Sequence, residues 1–527
     1  MHIYHGKIIS LDKDINIYKY LVEDQGRIIY LGDSLPSDYM QNVPNVELDD
    51  RVLLPSFGDG HIHFSNWALF AVSSFDVREA ATISELQEMI KKAVTDNSMK
   101  RVVVGFGASM HTVKEKRLIN RKELDDICRN IPLIIICYDG HSAVCNSKMI
   151  EKFPDKIIKS RGFQEDLGHL FHEAYLSGTD YATSLIPPFI LVKSILKSYD
   201  LLAEKGIGLI HTVEGIGFPK DLDVTLVSLI ARARAKKNRF QTRLFFQTME
   251  IDQVLKRRLP RVGGCFATAL DGCFGACDAA LHEPYSNDPT NKGILFQSEE
   301  EVFDFVKKAN RAGLQIAMHT IGDAAVSRAV RAIEAALADS PRKDHRHTLI
   351  HACMIPPDDL KKIAELGIGI TLQPAFFISP LEPKEYLEEI LGQRVKGGSP
   401  LRSILNAGIH LSGGSDGPVT HPDPIEGIYG ACNHPYDPDQ SVSIVDALKM
   451  FTYEVAWTTF DEKERGSLEE GKIADMVILN QDPLPLNPQD LRSLKVEKLI
   501  LSGKEFEPGL GVIGMLWNSF RGRKEPI

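Results

Sequence analysis

The chain of 527 residues contains little cysteine, and its eight cysteines include no CxxC pair. A disulfide scaffold, a zinc ribbon and a thioredoxin-type redox site are therefore not expected. The longest apolar runs, such as residues 131–137, are far shorter than the ~20 residues that a membrane helix needs. The first residues lack the basic segment followed by an apolar segment that is typical of a secretory signal. These absences predict a cytoplasmic protein with reduced thiols and no membrane partner.

Positive charge is also scarce relative to negative charge. The chain has 61 Lys and Arg residues against 71 Asp and Glu residues, which gives a formal net charge of −10. Nucleic-acid-binding proteins usually show a basic excess or a basic stripe, so no nucleic-acid partner is expected. Apolar residues make up 43% of the chain. That content can bury a large core, and the length predicts two to four domains, or one large barrel with a smaller module.

In the middle of the chain, apolar runs of strand length alternate with longer segments of helical periodicity. From the second run to the eighth, the spacing is about 34 residues, which fits βα units of roughly 30 residues or more. Eight such units predict an α/β fold, a (β/α)8 barrel of the TIM type. The predicted strands are 51–55 leading into the segment 58–64, then 206–213, 242–248, 265–270, 314–319, 347–351, 367–373 and 409–416.

Three of the segments between these strands carry clear helix signals. Ser298 with Glu301 three residues later predicts a capping box, and Gly313 ends that helix. An Ala-rich amphipathic segment follows at 323–339, and a third helix opens on proline and closes at Gly367. The interval 64–205 is far longer than one helix requires and contains its own strand-like runs, so we expect an insertion over the barrel mouth.

His61 and His63 are the strongest candidate site residues. Side chains at i and i+2 of a strand project from one face, so both imidazoles can reach one metal ion. His319, His351 and Asp416 end three further predicted strands, and active sites of TIM barrels lie at these carboxyl ends. Imidazoles with a carboxylate suit Zn²⁺ and also accept Fe, Mn or Co. Taken singly, each histidine is equally typical of a turn or of a barrel core.

A series of motifs runs in order along nearly the whole chain: PSFGDGHIHF (55–64), DGHSAVCNS (139–147), GHLFHEAY (168–175), ALDGCFGACDAALHEPY (269–285), MHTIGDAAV (318–326), RHTLIHA (346–352), GGSDGPV (413–419), DPIEGI (423–428) and GSLEEGKIADMVILNQDPL (466–484). Together they resemble the amidohydrolase superfamily. The closest resemblance is to its YtcJ-like subgroup, which includes N-substituted formamide deformylases.

The resemblance implies an architecture for the two ends of the chain. Residues 1–54 and 464–508 would form a composite β-sandwich, residues 55–463 a metal-dependent barrel, and residues 509–527 a C-terminal tail. It also implies an activity, the hydrolysis of a carbon–nitrogen bond in a small N-acyl, N-formyl or cyclic amide by metal-bound hydroxide. A homodimer is the assembly expected on symmetry grounds alone.

The resemblance further implies the metal ligands, namely His61, His63, His319, His351 and Asp416. Asp416 would also act as proton shuttle, since a carboxylate can take a proton from the water and pass it to the leaving nitrogen. In the single-metal variant, His351 would contact water or substrate instead. The expected ion is divalent, with zinc first and iron or manganese as alternatives.

One departure from the pattern concerns the bridging ligand of two-metal relatives, which is often a lysine near the fourth strand. This chain has no lysine between Arg261 and Asp271. Cys265 and Glu214 are the candidate substitutes, and an ordinary buried thiol is the alternative for Cys265. The sequence therefore leaves one or two metal ions open.

Candidate substrate contacts come from the insertion and from neighbouring strands. Asp139, His141 and Asn146 match the DGH…NS motif of the subgroup. Trp67 follows the histidine pair and can form an apolar pocket wall, although most such aromatics belong to a core. His211 ends the second predicted strand, where it either lines the pocket or packs inside the barrel.

Two other functions remain open from the sequence. A deaminase acting on an amidine-type ring carbon would use the same metal and the same aspartate, and would release ammonia. A catalytically inactive barrel with a binding role would be expected to lose metal ligands, whereas this chain keeps all five.

Overall fold

The barrel forms the centre of the computed structural model, which describes residues 1–39, 43–96, 101–520 and 527. Eight parallel strands, here called barrel strands 1 to 8, follow one another around the sheet in chain order. Strands 8 and 1 meet where Asp416 N donates to His61 O at 2.8 Å and His63 N donates to Gly417 O at 2.9 Å. The predicted fold class is confirmed. The barrel strands are Phe57–Ile62, Ile207–Glu214, Gln241–Phe246, Arg261–Gly264, Gln315–Thr320, Thr348–His351, Gly369–Leu372 and Leu411–Gly413.

The sequence interpretation was wrong at barrel strand 4. We predicted 265–270, whereas the strand is Arg261–Gly264 and the following residues form a 3-10 turn, Phe266–Thr268. A Cβ on Gly263 would lie 2.0 Å from the backbone oxygen of Ala317 in the neighbouring strand, so only glycine permits this approach. The error arose because the apolar residues 265–270 are more typical of a strand than the segment 261–264, which contains two glycines.

Helices surround the barrel, and the three predicted from capping signals are confirmed. The Ser298 side chain accepts from Glu301 N at 3.2 Å, which closes the capping box. The other two run from Asp323 to Asp339 and from Pro357 to Leu366. The helices of the barrel and its loops are Phe64–Ser73, Pro188–Glu204, Leu222–Lys237, Ile251–Arg257, Glu299–Arg311, Asp323–Asp339, Pro357–Leu366, Lys384–Leu391, Leu401–Asn406, Pro424–Cys432, Ile444–Met450 and Tyr453–Thr458.

Both ends of the chain contribute to one seven-stranded sheet, here called the end sheet. Its order starts at the C-terminal strands, and Asn45–Pro55 lies in the middle, antiparallel to Met476–Leu479 and parallel to His2–Ile9. Ile28 N, in the edge strand Arg27–Gly32, donates to Lys472 O at 2.9 Å, just before the strand Met476–Leu479, and the sheet has its own apolar cluster. In spatial order its strands are Lys504–Glu505, Val496–Leu501, Met476–Leu479, Asn45–Pro55, His2–Ile9, Ile17–Asp24 and Arg27–Gly32.

The segment between barrel strands 1 and 2 contains a six-stranded mixed sheet, here called the insertion sheet. Alternate residues of its central strands pack on opposite sides: Val103 and Ile135 in a local cluster, and Val104 and Ile136 against the main core. Both faces are therefore buried. The strands are Phe75–Asp76, Val103–Ala108, Leu133–Cys137, Ser142–Cys145, Phe163–Gln164 and His169–Phe171, and the helices are Ile83–Asp96, Arg121–Ile127, Ser147–Ile150, Asp155–Ile158 and His172–Ser184.

The predicted tail contains a helix, Val512–Phe520, which packs on the helix Leu222–Lys237. Lys236 Nζ donates to Asn518 O at 3.0 Å, and Ser519 Oγ donates to Leu229 O at 3.0 Å. The remainder of the tail, 521–526, lies outside the described residues. Among the described helices, none is long and apolar enough to cross a membrane. The exact domain boundaries given above stay a prediction.

Candidate metal centre

Three side chains converge where barrel strands 1 and 8 end. His61 lies near the end of strand 1, His63 follows the strand, and Asp416 lies three residues beyond strand 8. The Nε2 atoms of His61 and His63 lie 3.0 and 3.2 Å from Asp416 Oδ1. All three side chains are buried. The structure thus brings together the pair on strand 1 and the aspartate of strand 8.

Cys265 and His351 complete this cluster on the other side. The Cys265 Sγ atom lies 3.3 Å from His61 Nε2 and 3.7 Å from His351 Nε2, so the thiol stands between two imidazoles. The ligand atoms of His61, Cys265, His351 and Asp416 all lie within 4.8 Å of one another. Cys265 reaches this position because strand 4 ends one residue earlier, at Gly264.

His319 lies beside the cluster, on barrel strand 5. Its ring centroid is 4.6 Å from that of His351. Its Nε2 atom lies 3.2 Å from Gly272 O, while its buried Nδ1 atom has no hydrogen-bond partner among the described residues. An unpartnered buried nitrogen next to His351 leaves a lone pair or proton available to a ligand.

The donor set fits a divalent metal ion. Asp416 Oδ1 is buried and accepts no hydrogen bond from the described residues, although two imidazole nitrogens lie about 3 Å away. Separations of 3.0 to 3.7 Å between ligand atoms match the edges of a coordination polyhedron whose metal–ligand bonds are roughly 2.0–2.3 Å long. Imidazole, carboxylate and thiol together are ligands that zinc accepts.

Burial sets the protonation of the histidines. It lowers the pKa of His351 to about 4, and it lowers the pKa of His61 and, more strongly, of His319. Burial also raises the pKa of Asp416, but the His61 and His63 side chains outweigh it and hold that pKa well below its usual range. The imidazoles of His61, His319 and His351 are therefore neutral, and the Asp416 carboxyl is charged. These are the forms that bind metal.

The pKa of the Cys265 thiol behaves differently. Burial, followed by the charge of Asp416, raises it well above its ordinary value. A bound cation favours the thiolate, because a coordinating thiol loses its proton. Cys265 would therefore become a thiolate, and so a ligand, only when an ion is bound.

Several residues of the cluster have left-handed backbone conformations, which are unusual outside glycine. The φ angles are +69° at His351, +43° at Ala352, +54° at Asp416 and +43° at Phe266. Such conformations cost of order 1–3 kcal/mol each and persist where the surrounding structure fixes them. Here they turn the chain sharply at the ends of strands 6 and 8, which points the ligating side chains inward.

Three buried side chains that the sequence analysis missed support the cluster. Gln373 Oε1 lies 2.6 Å from His351 Nδ1, at the end of barrel strand 7. Asp59 accepts from His61 N at 3.1 Å and from Ser415 N at 3.0 Å, which ties strand 1 to strand 8. Asp271 accepts from three backbone amides around residues 280 and 321–322. Gln373 directly follows barrel strand 7, so its position was a usable signal, whereas Asp59 lies within barrel strand 1.

A cavity of about 140 Å³ opens on the cluster, and its walls are mostly apolar. The insertion forms one wall and the loops after barrel strands 4 and 7 form another. His63, Cys265, His319, His351 and Asp416 all line it. Its further lining includes Phe70, Phe106, Tyr138, Phe266, Phe376 and Tyr436.

Two of the predicted substrate contacts do line this cavity. The His141 ring centroid lies 6.4 Å from that of His319 and 6.0 Å from that of Phe266. Asp139 accepts from His141 N at 2.9 Å, which fixes the turn that presents both side chains. Burial raises the pKa of Asp139.

Asn146 was predicted to contact substrate, but the structure gives it a structural role. It is fully buried away from the cavity and caps the helix Ser147–Ile150. Its side chain accepts from Leu133 N at 3.0 Å and Met149 N at 2.9 Å, and donates to Cys128 O at 2.5 Å. Its hydrogen-bonding capacity is used by the backbone.

Trp67, His211 and Glu214 also lie outside the cluster and the cavity lining. Trp67 packs in the main core, with its ring 6.2 Å from that of Phe64. His211 faces the inside of the barrel below the cluster, where its Nε2 lies 2.9 Å from Thr459 Oγ1. Glu214 accepts from Ser65 N at 3.2 Å and from Thr212 Oγ1 at 2.5 Å. The ligand role predicted for Glu214 was therefore wrong, whereas Trp67 and His211 take the second of the two roles left open for each, in the core and inside the barrel.

Comparison with known proteins gives consistent matches over most of the chain. The family model described as "Amidohydrolase family" matches residues 45–172 and 263–506. The "Putative amidohydrolase YtcJ" of Bacillus subtilis (strain 168) is 25% identical, over 87% of this chain and 89% of that protein. The "N-substituted formamide deformylase" of Arthrobacter pascens is 24% identical, over 87% of this chain and 89% of that protein.

A solved structure matches over almost its whole length. It is described as an uncharacterized metal-dependent hydrolase from Pyrococcus horikoshii OT3, and it is 25% identical to this chain with a TM-score of 0.74. The match covers 92% of this chain and 99% of that one. The fold that carries the cluster is thus shared with a solved structure over 92% of this chain.

Proposed function

Because the chain belongs to the amidohydrolase family, we propose that it is a metal-dependent hydrolase that cleaves the carbon–nitrogen bond of an N-acyl or N-formyl amine. The observation that carries this proposal is the convergence of His61, His63, Cys265 and His351 around Asp416 at one end of the cavity. The deformylase relative supports an N-substituted formamide as the first substrate to try.

When bound there, a divalent ion would make a water molecule more acidic and would polarise the substrate carbonyl. We propose zinc, which His61, His63, Asp416 and Cys265 would hold, with His319 and His351 available to a second ion. If two ions were bound, Cys265 would be within reach of both, because its sulfur lies between His61 and His351. Gln373 holds His351 by its Nδ1 atom, which leaves Nε2 turned toward the cluster.

Asp416 moves the proton in this scheme. One water is consumed: its oxygen bonds to the carbonyl carbon, and the carbon–nitrogen bond breaks. The Asp416 carboxylate takes a proton from the water and passes it to the leaving nitrogen, so the products are a carboxylic acid and an amine. The low pKa that His61 and His63 impose keeps Asp416 in its charged form at neutral pH. The aromatic walls of the cavity exclude other water from the reacting atoms.

The test is turnover of N-substituted formamides by zinc-loaded protein, followed as formate and amine release. We expect activity in the wild type and a loss of at least a thousandfold in Asp416→Asn, with an unchanged circular dichroism spectrum. The exposed Asp126→Asn is the matched control. Ammonia release from an amidine-type ring, without formate release, would instead establish the deaminase. A wild type without bound metal, and inactive after addition of Zn²⁺, Mn²⁺ or Fe²⁺, would leave only a binding barrel.

The role of Cys265 has a separate test. If its thiolate is shared, the wild type should bind two ions per chain and Cys265→Ser should bind one, as counted by plasma mass spectrometry after desalting. Cys137→Ser, at a buried cysteine of the insertion sheet, is the control and should keep the wild-type count. An equal metal content in wild type and Cys265→Ser would contradict a bridging role.

A further inference from the structure

The cavity has a polar region away from the metal centre, centred on Glu382. This residue lies just before the helix Lys384–Leu391, in the loop that follows barrel strand 7. Its Oε1 atom accepts from Tyr138 Oη at 3.1 Å, and both residues line the cavity. No Lys, Arg or His of the described residues forms an ion pair with Glu382. Gly275 supplies a backbone hydrogen bond as well, so the half-buried Glu382 carboxyl has neutral donors and, among the described residues, lacks the cation that usually accompanies a carboxylate in apolar surroundings.

A second, independent observation lies in the same region. Tyr436 lines the cavity and is 9% exposed, and its buried Oη atom has no hydrogen-bond partner among the described residues. Buried hydroxyls of native proteins normally have a partner, so an unpartnered one on a cavity wall indicates a ligand group.

Glu382 and Tyr436 belong to one site. Both line the cavity beside the start of the helix Lys384–Leu391: Lys384 lies two residues after Glu382, and its Nζ atom is 5.8 Å from the centroid of the Tyr436 ring. In agreement, the charge of Glu382, after burial, raises the pKa of Tyr436. Apart from Asp416 of the metal centre, the cavity lining also contains the carboxylate of Asp139, but it faces His141 and accepts backbone amides. Glu382 is therefore the acidic group that is left for a ligand.

Two consecutive phenylalanines connect this region to the metal centre. The Phe376 ring stacks on His351 with centroids 5.8 Å apart, and the Phe377 ring lies 6.4 Å from that of Tyr436. An apolar stretch of substrate would lie along this wall, with its reacting amide at one end and a polar group at the other.

We infer that Glu382, with the hydroxyls of Tyr138 and Tyr436, binds a primary ammonium group at the far end of the substrate. An ammonium supplies the missing positive charge and three donors, for the Glu382 carboxylate and for the Tyr436 oxygen. The substrate class is thus an N-acylated or N-formylated amine that carries a second amine across an apolar spacer. This inference rests on the proposed function for the reacting end, but the site itself is defined by the cavity.

The kinetic test compares two homologous series in zinc-loaded protein, N-(ω-aminoalkyl)formamides with three to eight methylenes and N-alkylformamides of equal length. In the wild type, we expect kcat/KM to favour the amino compound at one spacer length by at least tenfold, mainly through KM. Glu382→Gln should reduce that preference at least tenfold, and Tyr436→Phe should reduce it several-fold without loss of fold stability. The exposed Glu389→Gln on the adjacent helix is the control and should keep the wild-type preference.

A binding test separates this inference from the proposed hydrolysis. Isothermal titration calorimetry of the metal-loaded protein would compare α,ω-diaminoalkanes with n-alkylamines of equal length. Tighter binding of the diamines to the wild type but not to Glu382→Gln supports the ammonium site even where no formamide is cleaved. Equal binding of the two series, or a preference that Glu382→Gln retains, overturns the ammonium site even where the formamides are cleaved.

Discussion

The hydrogen bond between Gln373 and His351 allows metal affinity to be separated from fold stability. Gln373 is fully buried, its Oε1 lies 2.6 Å from His351 Nδ1, and its Nε2 atom has no partner among the described residues. The acceptor keeps the proton of His351 on Nδ1, which leaves the Nε2 lone pair for a metal ion. Gln373→Met preserves the length of the side chain and removes that acceptor.

The expected effects follow from what each atom of Gln373 does. Loss of a hydrogen bond behind a ligating histidine typically costs 10–100-fold in metal affinity, or about 1.4–2.8 kcal/mol. The free energy of unfolding of the metal-free protein should change by less than about 1 kcal/mol. The reason is that the substitution also removes an unpartnered buried NH₂ group, whose burial is itself unfavourable.

Competition against a chromophoric chelator gives the zinc Kd, and urea unfolding of the metal-free protein gives its stability. The matched control is Gln315→Met, at the opposite end of barrel strand 5, where Nε2 donates to Arg346 O at 2.7 Å and to Thr458 O at 2.8 Å. That variant should lose about 1–3 kcal/mol of stability, since it leaves buried carbonyls unpaired, and keep its zinc affinity. A Gln373→Met protein whose zinc Kd lies within twofold of wild type would refute the reasoning.

Three further predictions concern the structural residues. Asn146→Ala should destabilise the protein by about 2–4 kcal/mol in urea unfolding, through the lost helix cap and unpaired backbone groups, with kcat/KM unchanged. A loss of kcat/KM without a loss of stability would instead support a substrate contact of Asn146. Gly263→Ala should fail to yield soluble protein, whereas Gly397→Ala, whose Cβ would meet nothing within 4 Å, should express like wild type. Burial raises the pKa of Asp461, but the ion pair with Arg243 outweighs burial, so the pKa lies below its usual range. The pair therefore stabilises the fold above pH ~4 and loses this effect as the pH falls toward the folded-state pKa. Asp461→Asn should lower the free energy of unfolding in urea by about 3–5 kcal/mol at pH 7 and by less near pH 3. A loss that stays the same at both pH values would refute the contribution of the ion pair.

The sequence predicted the barrel and most of its metal-facing side chains because strand ends of a parallel barrel converge on one point. His61, His63, His351 and Asp416 needed only the positions of their strands. Cys265 was a candidate because the chain has no lysine between Arg261 and Asp271, although the strand predicted at 265–270 was wrong. The residues of the cluster are thus the ones whose direction is set by local backbone geometry.

The remaining roles depend on packing between segments that are far apart in the chain. The motif containing Asn146 gives no sign that its amide meets the backbone at residues 128 and 133 instead of a substrate. Trp67 lies one helical turn from His63, yet its ring points into the core. Glu382 lies in a loop whose position over the cavity follows from tertiary contacts. Sequence periodicity cannot report any of these orientations.

The end sheet imposes a delay on the folding of the nascent chain. Its middle strand, Asn45–Pro55, pairs on one side with Met476–Leu479, and roughly 420 residues separate the two. At a synthesis rate of about 5–20 residues per second, the edge of Asn45–Pro55 stays open for roughly 20 to 80 s before its partner leaves the ribosome. An exposed strand edge is a template for pairing with other chains. During this interval, a chaperone that covers the edge of Asn45–Pro55 would raise the yield of folded enzyme. A slower translation rate late in the message would prolong the exposure of that edge and lower the yield.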